Sequence, residues 1–220
     1  MKCLFFSYSL PAEPSKARVY VWRQLKKLGA VNVQSIWVVP YSPERMADMK
    51  KLIDDIDRFK GESLLIDGKA AIKAQAERIQ TALMESRNEE YGELIEKCEA
   101  YFKEIAYEIE RKNFIFAEVE ENEEELEKLK KWLKKVEKRD VIKTPMRKLA
   151  IEKIRTCEKL FEDFARKVFT HSQGLETSQP SEQEKAMPKE MVLRDISDGS
   201  EGESESSSFQ KAVDLREETP

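Results

Sequence analysis

A single histidine, seven glycines and three scattered cysteines leave this 220-residue chain short of the residue types that most catalytic and metal chemistry needs. His171 stands alone near the end of the last helical pattern, so a histidine-based nucleophilic relay or a histidine-rich metal site has no second member. Cys3, Cys98 and Cys157 are odd in number, far apart and without a CxxC spacing. That argues against a disulfide framework or a zinc site and for packed, apolar thiols. No run approaches the roughly 18 consecutive apolar residues of a membrane-spanning helix. The start MKCLFFSYSL has neither the apolar core nor the small-residue cleavage site of a signal peptide. The expectation is a cytoplasmic protein with no membrane contact and no cofactor. No GxGxxG, GxxxxGKS, HExxH or GxSxG pattern occurs, and the glycines fall where turns are needed.

Charge is what the chain has in abundance, and it is unevenly placed. The net −4 divides into 5 basic and 12 acidic residues over 173–220, a balance of −7, and 34 basic and 31 acidic residues over 1–172, a balance of +3. Residues 1–60 alone hold 11 basic and 6 acidic residues, a balance of +5. A basic amino-terminal segment ahead of an acidic tail suits an anionic partner better than a cationic one.

With 40% hydrophobic residues, a sizeable core is within reach. CLFFSYSL over 3–10 reads as a buried strand. A helix follows from Pro14 or Ser15, with Ser15 as cap, Ala17, Val21, Leu25 and Leu28 at helical spacing and Gly29 as its stop. AVNVQSIWVVP over 30–40 reads as two short strands or one bulged strand, broken near Gln34 and Ser35. Ser42 and Pro43 open a second helix whose apolar face is Met46, Met49, Ile53, Ile56 and Phe59, and ESLLID over 62–67 supplies another strand. The order β-α-β-β-α-β predicts an α+β fold with a ferredoxin-like unit over 1–69, two helices on one face of an antiparallel sheet.

Residues 70–171 change to helical periodicity. One long or once-broken helix runs through Ile72, Ile79, Leu83, Leu94, Cys98, Phe102, Ile105 and Ile109. A second, over ENEEELEKLKKWLKKVEKRD, carries Leu126, Leu129, Leu133 and Val136. A third, capped by Thr144 and Pro145, carries Leu149, Ile154, Cys157, Phe161, Phe164 and Val168 inward. Short connections predict an antiparallel bundle or hairpin that leans on the small unit and covers one sheet face. From 172 to 220 the chain is rich in Ser, Glu, Gln and Pro, GSEGESESSS being its plainest part, and is expected to be a disordered acidic tail in which EMVLRDI over 190–196 alone has folding potential.

The acidic residues fall in EEE and EK runs at helical spacing, the pattern of a solvated face. The first helix is different. Lys16, Arg18, Arg23, Lys26 and Lys27 place five cations on about three turns. Trp22 and Leu25 are expected to face inward, and Trp22, Trp37 and Trp132 to act as core anchors. The five cations are candidates for binding an anion or nucleic acid, since guanidinium forks bind tetrahedral anions in bidentate fashion. The alternative is a solvated helix whose arginines pair with the protein's own acids in residues 93–130.

Two family resemblances follow. The first strand, the basic helix and VQSIWVV resemble the small ferredoxin-like nucleases of CRISPR adaptation, with Gly29, Val33, Gln34 and Ser35 matching their hairpin. Ser9 stands where those nucleases carry a metal-holding aspartate, and a neutral hydroxyl is a poor magnesium ligand, so the likeness implies fold rather than metal-dependent cleavage. SYSLPAEPSKARVYVWRQLKKLGAVNVQSIWVVP together with FIFAEVEENEEELEKLKKWL resembles the amino-terminal domain of the ChrB family of chromate-resistance regulatory proteins, over about residues 3–171. That resemblance implies a cytoplasmic, DNA-associated regulator of a chromate-efflux operon. In that family a second domain usually follows, where this chain has its polar tail. The reading that results is a non-enzymatic regulatory module that binds DNA or a regulatory protein, with a link to an oxyanion (chromate) through the family and sheet edges open to a second copy. A protein-interaction scaffold without nucleic-acid binding is its rival.

Overall fold

Alternation and turn chemistry build the first third of the chain. The computed structural model describes residues 1–13 and 15–174; Pro14, with its expected turn-setting role, and the tail from 175 on, including 190–196, lie outside the described residues. β1 (Cys3–Ser9) sends Leu4 and Phe6 to one face and Cys3 to the other, all three buried. α1 (Ser15–Lys27) begins at Ser15 and buries Ala17, Val21 and Leu25, three positions at the expected spacing of four. β2 (Val31–Val33) and β3 (Ile36–Pro40) form a hairpin closed by Gln34 and Ser35, at φ 50 and 67. Both residues sit in the left-handed region, as the tight two-residue hairpin turn demands, and this is where the strand was expected to break.

α2 (Pro43–Arg58) starts on Ser42, whose Oγ accepts a hydrogen bond from Arg45 N at 3.1 Å, with Pro43 at the first helical position. β4 (Glu62–Gly68) returns beside β1, and all neighbouring strands are antiparallel in the order β2-β3-β1-β4. One sheet face carries Leu4, Phe6 and Val39 against Val21 and Leu25 of α1 and Met49, Leu52 and Ile56 of α2. Each such large side chain contributes roughly 1.5–3 kcal/mol by leaving water.

The other face is covered only in part. Cys3, Val31 and Val38 pack on Ile79 and Leu83 near the start of α3 (Lys73–Glu110), a single unbroken helix. Ile36, Leu64 and Ile66 stay 44%, 59% and 52% exposed. α4 (Phe116–Arg139) and α5 (Met146–Ser172) complete a three-helix pack with α3, joined in one core by Leu94, Cys98, Leu129, Val136, Cys157 and Phe164 among others. Between α4 and α5 the buried Asp140 carboxylate accepts hydrogen bonds from Lys143 N at 2.8 Å and Thr144 N at 3.1 Å, which pins the turn where the last helix starts.

Four sequence expectations are corrected here. Ile72 precedes the helix and is 58% exposed, because its extended backbone ends the apolar stripe one turn early. Leu149 is 43% exposed, since Ala150 and Ile154 take the inward positions of that turn. α4 begins at Phe116, inside FIFAEVEE. Ser172 is helical, so it belongs to α5 and not to the tail. Among the described residues no helix is long and apolar enough to cross a membrane.

Candidate nucleic-acid interface

α1 lies across the sheet with one side buried and the other in solvent. All five expected cations, Lys16, Arg18, Arg23, Lys26 and Lys27, are exposed, and the helix contains no acidic residue at all. Arg18 donates from Nη2 to the carbonyl of Ala12 at 2.8 Å, which ties the helix to the preceding loop and leaves its charge unneutralised. Lys16, Arg23, Lys26 and Lys27 make no hydrogen bond or ion pair with other described residues. The alternative in which these arginines pair with the acids of residues 93–130 is therefore corrected: those acids belong to α3 and α4, none of them is paired with Arg18 or Arg23 among the described residues, and some take other partners, such as Lys130 for Glu127 at 2.9 Å and Lys153 for Glu99 at 3.4 Å.

Trp22 is also corrected. Its side chain is 48% exposed on the outer side of α1, one helical turn from Arg18 and from Lys26, while Val21 and Leu25 take the inward positions. Val19 lies on the same outer side, 44% exposed. Trp37 and Trp132 are half-buried and pack on the core as expected. The outer side of α1 is thus a cationic strip with an indole set into it, a combination that suits contact with phosphates and with a base or sugar face.

The helix is held in place from its inner edge. Tyr20 donates to Asp55 Oδ2 of α2 at 2.7 Å, and that hydrogen bond, with burial second, raises the Tyr20 pKa above its ordinary value. Asp55 also holds Arg58 at 2.9 Å.

Beside α1 a groove of about 900 Å³ runs between α1, α2 and the end of α4. Its walls carry the cations Lys27, Arg45, Lys51, Lys135, Lys138 and Arg139 against three acids. Each acid is already engaged: Glu44 by Lys138 at 2.6 Å, Asp48 by Lys51 at 3.2 Å, and Asp55 as above. Arg45 is half-buried and donates to two neutral carbonyls, Lys138 O at 3.1 Å and Pro40 O at 3.4 Å, and burial lowers its pKa. Those carbonyls fix its fork, and it makes no ion pair among the described residues.

The sequence reading missed the α4 part of this wall. Lys131, Lys134, Lys135 and Lys138 are all exposed and recur at spacings of three and four, so they form one stripe on the carboxyl-terminal half of α4. Of these, only Lys138 is in an ion pair among the described residues. The signal was present in KKWLKKVEKR, where acids almost vanish from a helix whose first half reads FAEVEENEEELE; treating the whole stretch as one mixed-charge face hid it.

Ser9, at the end of β1, is exposed and sits opposite Glu62 of β4 in the sheet register. Cys3 is buried, and burial raises its thiol pKa, consistent with a packing role. Among the described residues no group of three or more His, Cys, Asp or Glu side chains is placed to hold a metal ion.

Among the described residues these features define an α+β module, a four-stranded antiparallel sheet with five helices, whose first helix carries an exposed cationic strip. Residues 18–175 match the family described as Protein ChrB, N-terminal, and the chain belongs to that family. No curated protein and no solved structure matches it.

Proposed function

We propose that the chain is a non-enzymatic, cytoplasmic regulatory module of chromate resistance that binds DNA through the outer side of α1. Membership of the ChrB amino-terminal family supports the regulatory setting. We further read residues 1–69 as a ferredoxin-like split βαβ unit, a reading supported by the strand order β2-β3-β1-β4 and by both early helices packing on one sheet face.

The observation that carries the DNA reading is that Lys16, Arg23, Lys26 and Lys27 have no carboxylate partner among the described residues, on a helix that has no acid of its own. Cations left in that state release counterions when they meet phosphates, so binding is salt-dependent. Arg18, tethered by one nitrogen, keeps the rest of its fork for the same ligand. Trp22 adds an apolar contact in the middle of the strip.

The test is a salt titration of the full chain against an operator-length duplex, read by fluorescence anisotropy. Each phosphate contact is expected to add about 0.9 to the slope of log affinity against log salt. Replacing Arg18 and Arg23 by alanine is expected to flatten that slope and weaken binding at least several-fold. An undetectable affinity at low salt, or one indifferent to the two substitutions, would overturn the DNA reading and leave the protein-interaction scaffold in its place.

A further inference from the structure

The charge on α1 does not stop at its carboxyl end. Lys27 shares the groove with Lys135, Lys138 and Arg139 of α4, so the last turn of α1 and the last turns of α4 face one another across it. The two helix ends also touch below the groove, where the space beside Gly29 is bounded by the side chain of Arg139. From there the stripe Lys131, Lys134, Lys135 and Lys138 continues along α4 on exposed positions.

We propose that the C-terminal half of α4 is a second phosphate-binding element, and that one duplex backbone is gripped by α1 and α4 together across the groove. This rests on the DNA reading of α1 and extends it to residues on a helix that reading does not use.

Three observations favour an extended polyanion as the occupant. The first is length. The 13 residues of α1 span about 20 Å at 1.5 Å per residue, and the basic end of α4 adds roughly another 13 Å, far more than one small anion fills. The second is charge. Six cations and three acids line the groove; Lys51 and Lys138 are held by two of those acids and Arg139 by Glu90 outside it, so Lys27, Arg45 and Lys135 have no ion pair among the described residues and are left for an outside anion. The third is pattern. In α4 the acids Glu121, Glu124 and Glu125 occupy the first half of the exposed side and lysines the second half, so the helix is repulsive to phosphate at one end and attractive at the other. Cations near a helix carboxyl end also suit its dipole within the last turn. That accounts for Lys138 and Arg139, but Lys131 and Lys134 lie beyond the reach of the last turn.

The experiment repeats the duplex titration with the full chain carrying Lys134→Gln and Lys135→Gln, with the α1 variant Arg23→Gln/Lys26→Gln, and with Lys159→Gln on the exposed side of α5 as a control. All these positions are exposed, and circular dichroism and thermal melts check that each variant folds. The α4 variant is expected to flatten the salt slope by about 1.8, two contacts at about 0.9 each, and to weaken binding on the order of tenfold at low salt. Combined with the α1 variant the slope changes are expected to add, and the control leaves both quantities unchanged. Wild-type binding that is weakened by the α1 variant but not by the α4 variant overturns this inference and leaves the α1 reading standing. No duplex binding by the wild-type chain overturns both. Binding of poly-glutamate with the same affinity and the same response to the α4 variant would make the stripe a site for acidic protein and overturn its assignment to DNA.

Discussion

Gly29 and Arg139 meet where two helices end: a Cβ built on Gly29 would lie 3.2 Å from the Arg139 Cβ. The same carbon would lie 3.4 Å from Nη1 of Arg87, and the glycine has φ +77, a conformation an L side chain adopts at a cost. Gly29→Ala therefore combines backbone strain with a tight contact. It is expected to destabilise the protein by about 1–3 kcal/mol. Urea unfolding with an unchanged m-value checks this, and a loss below half a kcal/mol would mean that the two helix ends are not in contact in solution.

Arg87 and Glu90 predict an inversion of the usual rule that removing a salt bridge hurts equally from either side. Arg87 is 3% exposed, and its Nε and Nη1 have no hydrogen-bond partner, while Nη2 reaches Glu90 at 3.0 Å. Glu90 is shared with Arg139, which donates to it from Nε at 3.0 Å and from Nη2. Arg87→Met removes a poorly satisfied buried charge and leaves Glu90 paired, so it is expected to cost less than about 1 kcal/mol or to stabilise. Glu90→Gln leaves two guanidinium groups without their shared carboxylate and is expected to cost about 2–3 kcal/mol. Thermal melts of the two variants in the same buffer give the order directly.

Trp22 and Leu25 separate surface from core on one helix. Leu25 is fully buried between the sheet and α2, so Leu25→Ala is expected to cost about 2–5 kcal/mol. Trp22 is half-exposed, so Trp22→Ala is expected to cost under about 1 kcal/mol of stability while weakening duplex binding roughly fivefold or more through lost stacking. A Trp22 variant that melts like the Leu25 variant would return the indole to the core.

Gln34 and Ser35 close the β2–β3 hairpin with φ 50 and 67, and neither residue is suited to the left-handed region. Replacing the pair by Asn-Gly supplies the residues that turn favours. The double variant is expected to gain about 1 kcal/mol without change in binding, seen as a rise of several degrees in Tm.

Alkaline pH is expected to unfold the chain through its buried phenols. Burial first, and the Asp140 charge next, raise the pKa of Tyr91; burial first, and Cys157 next, raise that of Tyr101. A raised folded-state pKa favours the native state while the phenol is protonated in both states. That stability is complete below the ordinary value of 10.0 and is lost as the pH rises above it, because the unfolded chain ionises first. Tyrosinate absorbance is expected to show part of the six tyrosines ionising reversibly and these two only with loss of native circular dichroism. Their early, reversible titration would contradict the burial.

Much of the architecture was legible before any coordinates. Strand alternation in β1, the spacing of four in Ala17, Val21 and Leu25, the Ser42–Pro43 start and the turn at Gln34–Ser35 are local signals, set by backbone sterics and by one buried face per element. The five α1 cations were legible too, because charge is written in composition. That they stay unpaired among the described residues was not, since an ion pair depends on which acid the fold brings within 4 Å, and only three-dimensional packing assigned Asp55 to Tyr20 and Glu44 to Lys138. Trp22 failed for the same reason. A large aromatic beside an apolar stripe belongs inside by transfer energy alone, but Ala17, Val21 and Leu25 take the buried side of α1 and leave the neighbouring indole outward. The approach of the α4 lysines to Lys27 joins residues more than a hundred positions apart, and no periodicity within either helix carries that distance.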